Sequence, residues 1–326
     1  MTMPNFTYVR PTSLKETFSH LSAGDARIHA GGTDLLGCLR DGVFTAEKVV
    51  SISRLDELRR IERLIDGTLR IGALATVAEL TNHEIVREGY PALAQAALEV
   101  ASPQLRNQGT IGGNLCQKPR CWYYRGAFHC TRKGGAQCFA IAGEDQYHCI
   151  LGGSGCYIVH PSDIAPVLVA YGAAIEIAGA AGTRKIPVEN FFVLPEESIT
   201  RETVLEQGEV LTPVLLPPAE QGGHSSYRKV RARGSWDFAL AGVALALRFH
   251  EGRVAGARIV LSGAAPIPWR CTDSEKVITG QSLDDEIIAR VAAAAMKDAR
   301  PMGHNGYKIE LFKGLIAEEL AACKRR

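Results

Sequence analysis

The sequence predicts a mixed chain, α/β in its first part and α+β in its last, and three observations carry that prediction. The first third alternates short β-branched runs with helix-patterned runs. The last third places two long strand patterns before two long helix patterns. A length of 326 residues, at roughly 100–200 residues per domain, fits about two domains or three small ones. Hydrophobic residues at 46% and charged residues at 22% supply a real core and exclude disorder as the main state. A net charge of +2 gives no global field to recruit nucleic acid or an acidic membrane. No apolar run approaches the ~20 residues that span a bilayer. The polar stretch Met1 to Arg10 lacks an apolar leader pattern, so a cytoplasmic location is expected, with export on a partner's signal as the alternative.

Taken in order, Arg27–Ala30 reads as a short strand running into Gly31–Gly32–Thr33–Asp34. Lys48–Ile52 and Leu69–Ala73 are two more strands, with a short charged helix or turn at Asp56–Arg63 between them. Thr76 and Glu79 have capping-box spacing at the start of a helix. Pro91–Val100 is Ala-rich at helical spacing, with Pro at the first turn. From Gly109 to Gly155 regular patterning fails, which in a stretch this long points to a functional or ligand-stapled segment. Order is expected to return at Cys156–Val159, in a helix over Asp163–Ala170, and in a strand over Ala173–Ile177. Leu194–Pro218, rich in Pro and Glu, reads as a connection to the second domain. Strands follow at Ala239–Phe249 and Arg253–Ser262, then helices at about Asp284–Asp298 and Tyr307–Cys323. The last of these ends in Lys324–Arg325–Arg326, charges that complement a helix C-terminus.

Two glycine-pair loops stand out. Ala30–Gly31–Gly32–Thr33–Asp34–Leu35 follows a strand, and Gly109–Thr110–Ile111–Gly112–Gly113–Asn114 opens the irregular stretch. Paired glycines let backbone approach a ligand, and successive N–H groups form anion nests. Neither loop matches the Rossmann fingerprint or a P-loop, so each alone reads equally well as an ordinary turn. His160–Pro161–Ser162–Asp163 opens a helix, where Asp163 would cap it or accept from ribose hydroxyls. Lys229 lies in a Tyr-Arg-Lys-Val-Arg run and reads as surface or as a flavin or phosphate contact.

Six of the nine cysteines fall between Cys116 and Cys156. Cys121, Cys130, Cys138 and Cys156 are separated by eight, seven and seventeen residues, with no CxxC knuckle. Thiolate ligation of a metal or an iron–sulfur cluster competes here with free thiols and with disulfides. The same segment carries Lys118, Arg120, Arg125, Arg132 and Lys133 against Glu144 and Asp145 only. These cations would stabilise an anionic cluster; they read equally as a solvated face. No nucleophile–base pair and no HExxH motif appears, which favours a redox carrier over a hydrolase.

Together these residues resemble the FAD-binding medium subunit of the molybdenum hydroxylase (xanthine dehydrogenase) family. The resemblance rests on AGGTDLL at 30–36, IGALATVAEL at 71–80, QLRNQGTIGGNL at 104–115, HPSDIAP at 160–166, YRKVRARGSWDFAL at 227–240 and SGAAPIPWR at 262–270. It implies a two-part FAD-binding domain of the vanillyl-alcohol-oxidase-like type, with lobes at 1–56 and 57–218. A C-terminal domain of the carbon monoxide dehydrogenase flavoprotein type is implied at 222–326. It assigns Ala30 to Leu35 and Gly109 to Asn114 to the FAD diphosphate, Asp163 to the ribitol or ribose, Lys229 to the ring region, and Trp122 to a cofactor contact. The cysteine segment, about 116–156, resembles the insert of three-subunit bacterial aldehyde oxidoreductases and of 4-hydroxybenzoyl-CoA reductase. That implies a 4Fe–4S cluster on Cys121, Cys130, Cys138 and Cys156, leaving out Cys116 and Cys149. The implied partners are a large molybdenum-cofactor subunit, a small 2Fe–2S subunit and an acceptor such as ferredoxin. The implied role is electron transfer during aldehyde oxidation. A hydroxybenzoyl-CoA reductase-like or heterocycle hydroxylase complex, a stand-alone FAD oxidase and a zinc-stapled scaffold are the alternatives.

Overall fold

The first lobe is built around a parallel three-stranded sheet. Strand β1 (Thr7–Val9) leads to helix α1 (Leu14–Leu21), which Ser13 caps through Glu16 N. Strand β2 (Ala26–His29), helix α2 (Leu35–Arg40) and strand β3 (Lys48–Ser51) follow, and β3 lies in the middle of the order β1-β3-β2. The strand–helix–strand unit places the β2–α2 loop at the end of the sheet, where parallel sheets open crevices. The chain is described from a computed structural model covering residues 3–220 and 222–324; Arg325 and Arg326, expected to complement the last helix, lie outside the described residues.

The second lobe carries an antiparallel five-stranded sheet. Its strands are β4 (Ile61–Arg63), β5 (Leu69–Gly72), β6 (Ala174–Gly179), β7 (Gly182–Pro187) and β8 (Val210–Leu216), in the order β4-β5-β8-β6-β7. The charged segment expected as helix or turn at Asp56–Arg63 is therefore one 3-10 turn, Asp56–Leu58, followed by an edge strand. Helices α3 (Val77–Asn82), α4 (Glu84–Gly89) and α5 (Pro91–Glu99) share a core with this sheet, α6 (Pro103–Gln108) packs against α3, and the Thr76–Glu79 capping box forms as expected. Short helices α7 (Ile111–Leu115) and α8 (Trp122–Arg125) and two 3-10 turns are the regular structure of the cysteine-rich segment. Cys156–Val159 forms no strand. Helix α9 (Ile164–Ala170) is buried along its whole length.

The largest departure from the sequence reading is β8. The proline-rich connection expected over Leu194–Pro218 ends in the central strand of the sheet, every residue of which is buried. Pro213 has no N–H to give to a ladder. The β6–β8 register breaks between Ile175 and Ile177, opposite Thr212–Pro213, so the missing donor falls at a bulge.

The C-terminal part is α+β. Strands β9 (Gly223–Val230), β10 (Ala241–His250), β11 (Arg253–Ser262) and β12 (Trp269–Arg270) form an antiparallel sheet in the order β12-β11-β10-β9. Helices α10 (Thr272–Ile278), α11 (Asp285–Ala295) and α12 (Tyr307–Cys323) cover one face. Alternation along β10 is the organising feature. Val243, Leu245 and Leu247 join the core under these helices, while Ala244 joins the core of the second lobe. The sheet is thus buried on both faces and couples the two parts of the chain.

Candidate functional site

The β2–α2 loop and the α6–α7 loop meet backbone to backbone. A Cβ on Gly31 would stand 1.8 Å from Gln108 O, a distance that only glycine permits. Gly32 sits at φ +74, in the left-handed region, and turns the chain into α2. Among the described residues the amides of Gly31, Gly32, Thr33 and Asp34 make no backbone hydrogen bond, so this loop keeps its donors free. The second loop does not. Ile111 N and Gly112 N donate to Ala75 O and Ala73 O, and Gly113 N donates to Thr110 Oγ1 at 3.1 Å. Gly112 packs closely against Ala73, and the free donors expected of both loops are found on the first.

Two cavities share this junction. One, of about 220 Å³, runs past Arg27, Phe44, Lys118 and Leu211. The other, of about 460 Å³, runs past Asn114, Arg120, Asp163, Trp236 and Phe238. Both are lined by Thr33, Asp34, Thr110, Gly113 and Gln117. The two cavities thus adjoin across the glycine loops and together offer room for a long ligand.

Asp163 lines the second cavity but does not cap α9; Ser162 Oγ accepts from Ala165 N at 2.9 Å instead. The Asp163 carboxylate accepts from Tyr227 OH at 2.7 Å and from Lys229 Nζ at 2.8 Å. Burial pushes its carboxyl up, and the Lys229 ammonium opposes that shift. Lys229 is fully buried and also donates to Glu99 O, so it lines neither cavity and acts behind Asp163. Ser162 Oγ also donates to Asn114 Oδ1, which ties the His-Pro-Ser-Asp turn to the second glycine loop. Trp122 lines neither cavity either: it is 51% exposed and meets Tyr147 edge-on at 5.4 Å.

Cys121, Cys130, Cys138 and Cys156 all line one small enclosed cavity, together with Tyr123, Arg132, Phe139 and His148. Cys116 faces the first ligand cavity and Cys149 a separate surface groove. Burial pushes the Cys121 thiol up to about 11, while backbone N–H groups of Tyr124 and Tyr123 pull it down. Burial likewise raises Cys156, opposed by Arg132, whose Nη1 lies 4.0 Å from the sulfur. His148 Nε2 lies 3.3 Å from Cys121 Sγ. No three His, Cys, Asp or Glu side chains among the described residues are gathered to hold a single metal ion. Four cysteines on one cavity are the donor type that both zinc and iron–sulfur clusters take.

Sequence reasoning missed what holds this segment in place. Arg132 and Lys118 both pair with the buried Glu202, Arg132 Nη2 at 2.6 Å. Asp145 accepts from Gly303 N and His304 N, each at 2.7 Å. Asn305 Nδ2 donates to His148 O and Cys149 O. Lys308, fully buried, donates Nζ to Tyr147 O, His148 O and Gly263 O. These partners lie far apart in sequence, and the turn signal Pro301–Gly306 is the only local trace of them. Replacing Lys308 by Met should lower stability by about 1–3 kcal/mol, read by denaturant unfolding, because three buried carbonyls lose a donor.

Comparison with known proteins agrees with this geometry. Residues 4–219 match the family described as the FAD binding domain in molybdopterin dehydrogenase, and residues 225–322 match the CO dehydrogenase flavoprotein C-terminal domain. The aldehyde oxidoreductase FAD-binding subunit PaoB of Escherichia coli (strain K12) is 35% identical over 329 residues, covering 99% of each chain. The glyceraldehyde dehydrogenase medium chain of Sulfolobus acidocaldarius is 28% identical, covering 96% of each. Among solved structures, carbon monoxide dehydrogenase from Hydrogenophaga pseudoflava superposes with a TM-score of 0.79 at 27% identity, covering 99% of each chain. With the matched domains spanning nearly all of the sequence and a 35% identical relative covered end to end, the chain belongs to the FAD-binding medium subunits of the molybdenum hydroxylases.

Proposed function

We propose that this chain is the electron-transfer subunit of an aldehyde-oxidising molybdenum hydroxylase, holding FAD and a 4Fe–4S cluster. FAD exchanges electrons singly or in pairs, a cluster exchanges them singly, and the substrate would be oxidised on a large partner carrying the molybdenum cofactor. A small 2Fe–2S subunit would feed electrons to the flavin, and a one-electron acceptor such as ferredoxin would draw them from the cluster. The aldehyde assignment is supported by the two relatives named for aldehyde substrates. That the relatives carry names such as medium chain and FAD-binding subunit favours a partnered enzyme over a stand-alone oxidase.

In this reading the first glycine loop, Ala30 to Leu35, receives the diphosphate on free amides. Gly109 to Asn114 form the opposing wall of the diphosphate, Asp163 faces the ribitol or ribose, and Lys229 pairs with Asp163 from behind. Cys121, Cys130, Cys138 and Cys156 would be the cluster ligands. The observation that carries the cluster is the convergence of these four cysteines on one cavity that Cys116 and Cys149 do not line. A metal bound there would deprotonate the thiols it takes as ligands.

The test is elemental. Anaerobically purified protein is expected to hold one FAD and about four iron and four acid-labile sulfide per chain. Replacing any of Cys121, Cys130, Cys138 or Cys156 by Ser should remove the iron; replacing Cys116 or Cys149 should not. Zinc without iron would support a structural metal instead. Iron lost with Cys149→Ser but kept with Cys156→Ser would overturn the ligand set.

A further inference from the structure

The ligand cleft has an unbalanced charge, and the cysteine-rich segment supplies it. Asp34, between the two cavities, accepts from Lys118 N at 2.7 Å and Arg125 Nη2 at 2.7 Å and pairs with Arg120 Nη2 at 2.9 Å. Glu202 pairs with Lys118 and Arg132. Four cations from residues 118–132 thus share two carboxylates, leaving two positive charges over. Elsewhere in the cleft charges cancel in pairs: Arg27 with Asp25, Arg233 with Asp237 and Lys229 with Asp163.

Two of these cations border the cleft. Lys118 lines the cavity on one side of the glycine loops, and Arg120 lines the cavity on the other. Arg120 is held in place by Asp34, by Gln117 Oε1 at 3.1 Å and by the Phe238 ring, whose centroid lies 4.8 Å from its guanidinium carbon. Its Nε is buried and has no hydrogen-bond partner. A buried guanidinium N–H without an acceptor costs stability unless a ligand supplies one. The diphosphate of a dinucleotide carries two negative charges, and Lys118 and Arg120 border the cleft on either side of the glycine loops.

We propose that Lys118 and Arg120, carried by the cysteine-rich segment, are the counter-charges of the FAD diphosphate. That segment is then a part of the flavin site as well as a holder of thiolates. The inference rests on FAD binding and not on the cluster, so iron-free protein tests it equally well.

The test measures flavin binding by fluorescence in the full-length apoprotein, with FAD, adenosine diphosphate and riboflavin as probes. Lys118→Met and Arg120→Met should each weaken FAD and adenosine diphosphate about tenfold or more and leave riboflavin unchanged. Arg120→Lys should recover part of the loss. In the wild-type protein, FAD affinity should fall as salt rises, and riboflavin affinity should not. The salt series needs no variant and keeps the test decisive if a variant misfolds. Kd values for FAD within about twofold of wild type in both folded Met variants, or a flat salt profile for FAD, would overturn the proposal. An equal loss for riboflavin would do the same, since it would place the cations at the ring or in the fold.

Discussion

A Gly31→Ala variant is expected to purify folded but without flavin. The added Cβ would sit 1.8 Å from Gln108 O and 2.7 Å from Gln108 C, and both of those atoms are backbone. Gln108 closes α6 and leads into Gly109, whose own N donates to Leu105 O, so it cannot retreat without breaking the helix end. The two loops would have to separate, and a diphosphate gripped between them would lose one wall. FAD affinity should drop at least a hundredfold, about 3 kcal/mol. The check is the ratio of flavin to protein after gel filtration, with circular dichroism as control for folding. Gly113→Ala is the informative comparison. Its Cβ would meet only Thr110 Oγ1, at 3.1 Å, so it should keep much of its flavin. Equal flavin occupancy in Gly31→Ala and wild type would mean that the loops are not the grip.

Glu202→Leu should be among the most destabilising single changes in the protein. Glu202 and Arg132 have side chains only 6% and 2% exposed, and Lys118 shares the same carboxylate. Deleting the acid strands two cations, one of them fully enclosed. Breaking a buried pair this way costs about 3–5 kcal/mol, a fall in melting temperature on the order of 10 °C for a chain of this size. Calorimetry reads it directly, and a fall under about 2 °C would show that water reaches the triad. The pH dependence follows from the same group. Burial works against the Glu202 charge, but Lys118 and Arg132 overcome it and hold the carboxyl below its ordinary 4.5. The folded acid is therefore the stronger one. Its contribution is complete above about pH 4.5 and is lost as pH falls through the lowered folded value. Glu202→Gln should erase that segment of the stability–pH curve.

Legibility in the sequence divides along physical lines. Local patterns were readable: β11 and α12 fall where alternation and helical spacing put them, and the Thr76 capping box marks α3. Strand β8 was not, because Pro213 and the Pro217–Pro218 pair mimic a connection, and the bulge at Thr212–Pro213 makes a central proline tolerable. Asp163 looked like a cap because its position is one; the neighbouring Ser162 took the role once Tyr227 and Lys229 arrived from the other domain. The two glycine loops looked equivalent. What separates them is where the amides of Gly112 and Gly113 go, and that is decided by Ala73 and Thr110. Spacing marked the cysteines as unusual, but family resemblance chose four of the six. Glu202, Asp145 and Lys308 carry no local signature, since a buried ion pair or a lysine under three carbonyls is defined by distant partners.

The order of strands in the second sheet has a consequence for biosynthesis. Its middle strand, β8, is the last of the five to leave the ribosome. Until residue 216 has emerged, the halves on either side have no common edge, and the cysteines between them belong to an unfinished lobe. The clasp formed by residues 303–308 comes later still, near the end of translation. The cysteine-rich segment is therefore clasped only once the final helix has been made and seated.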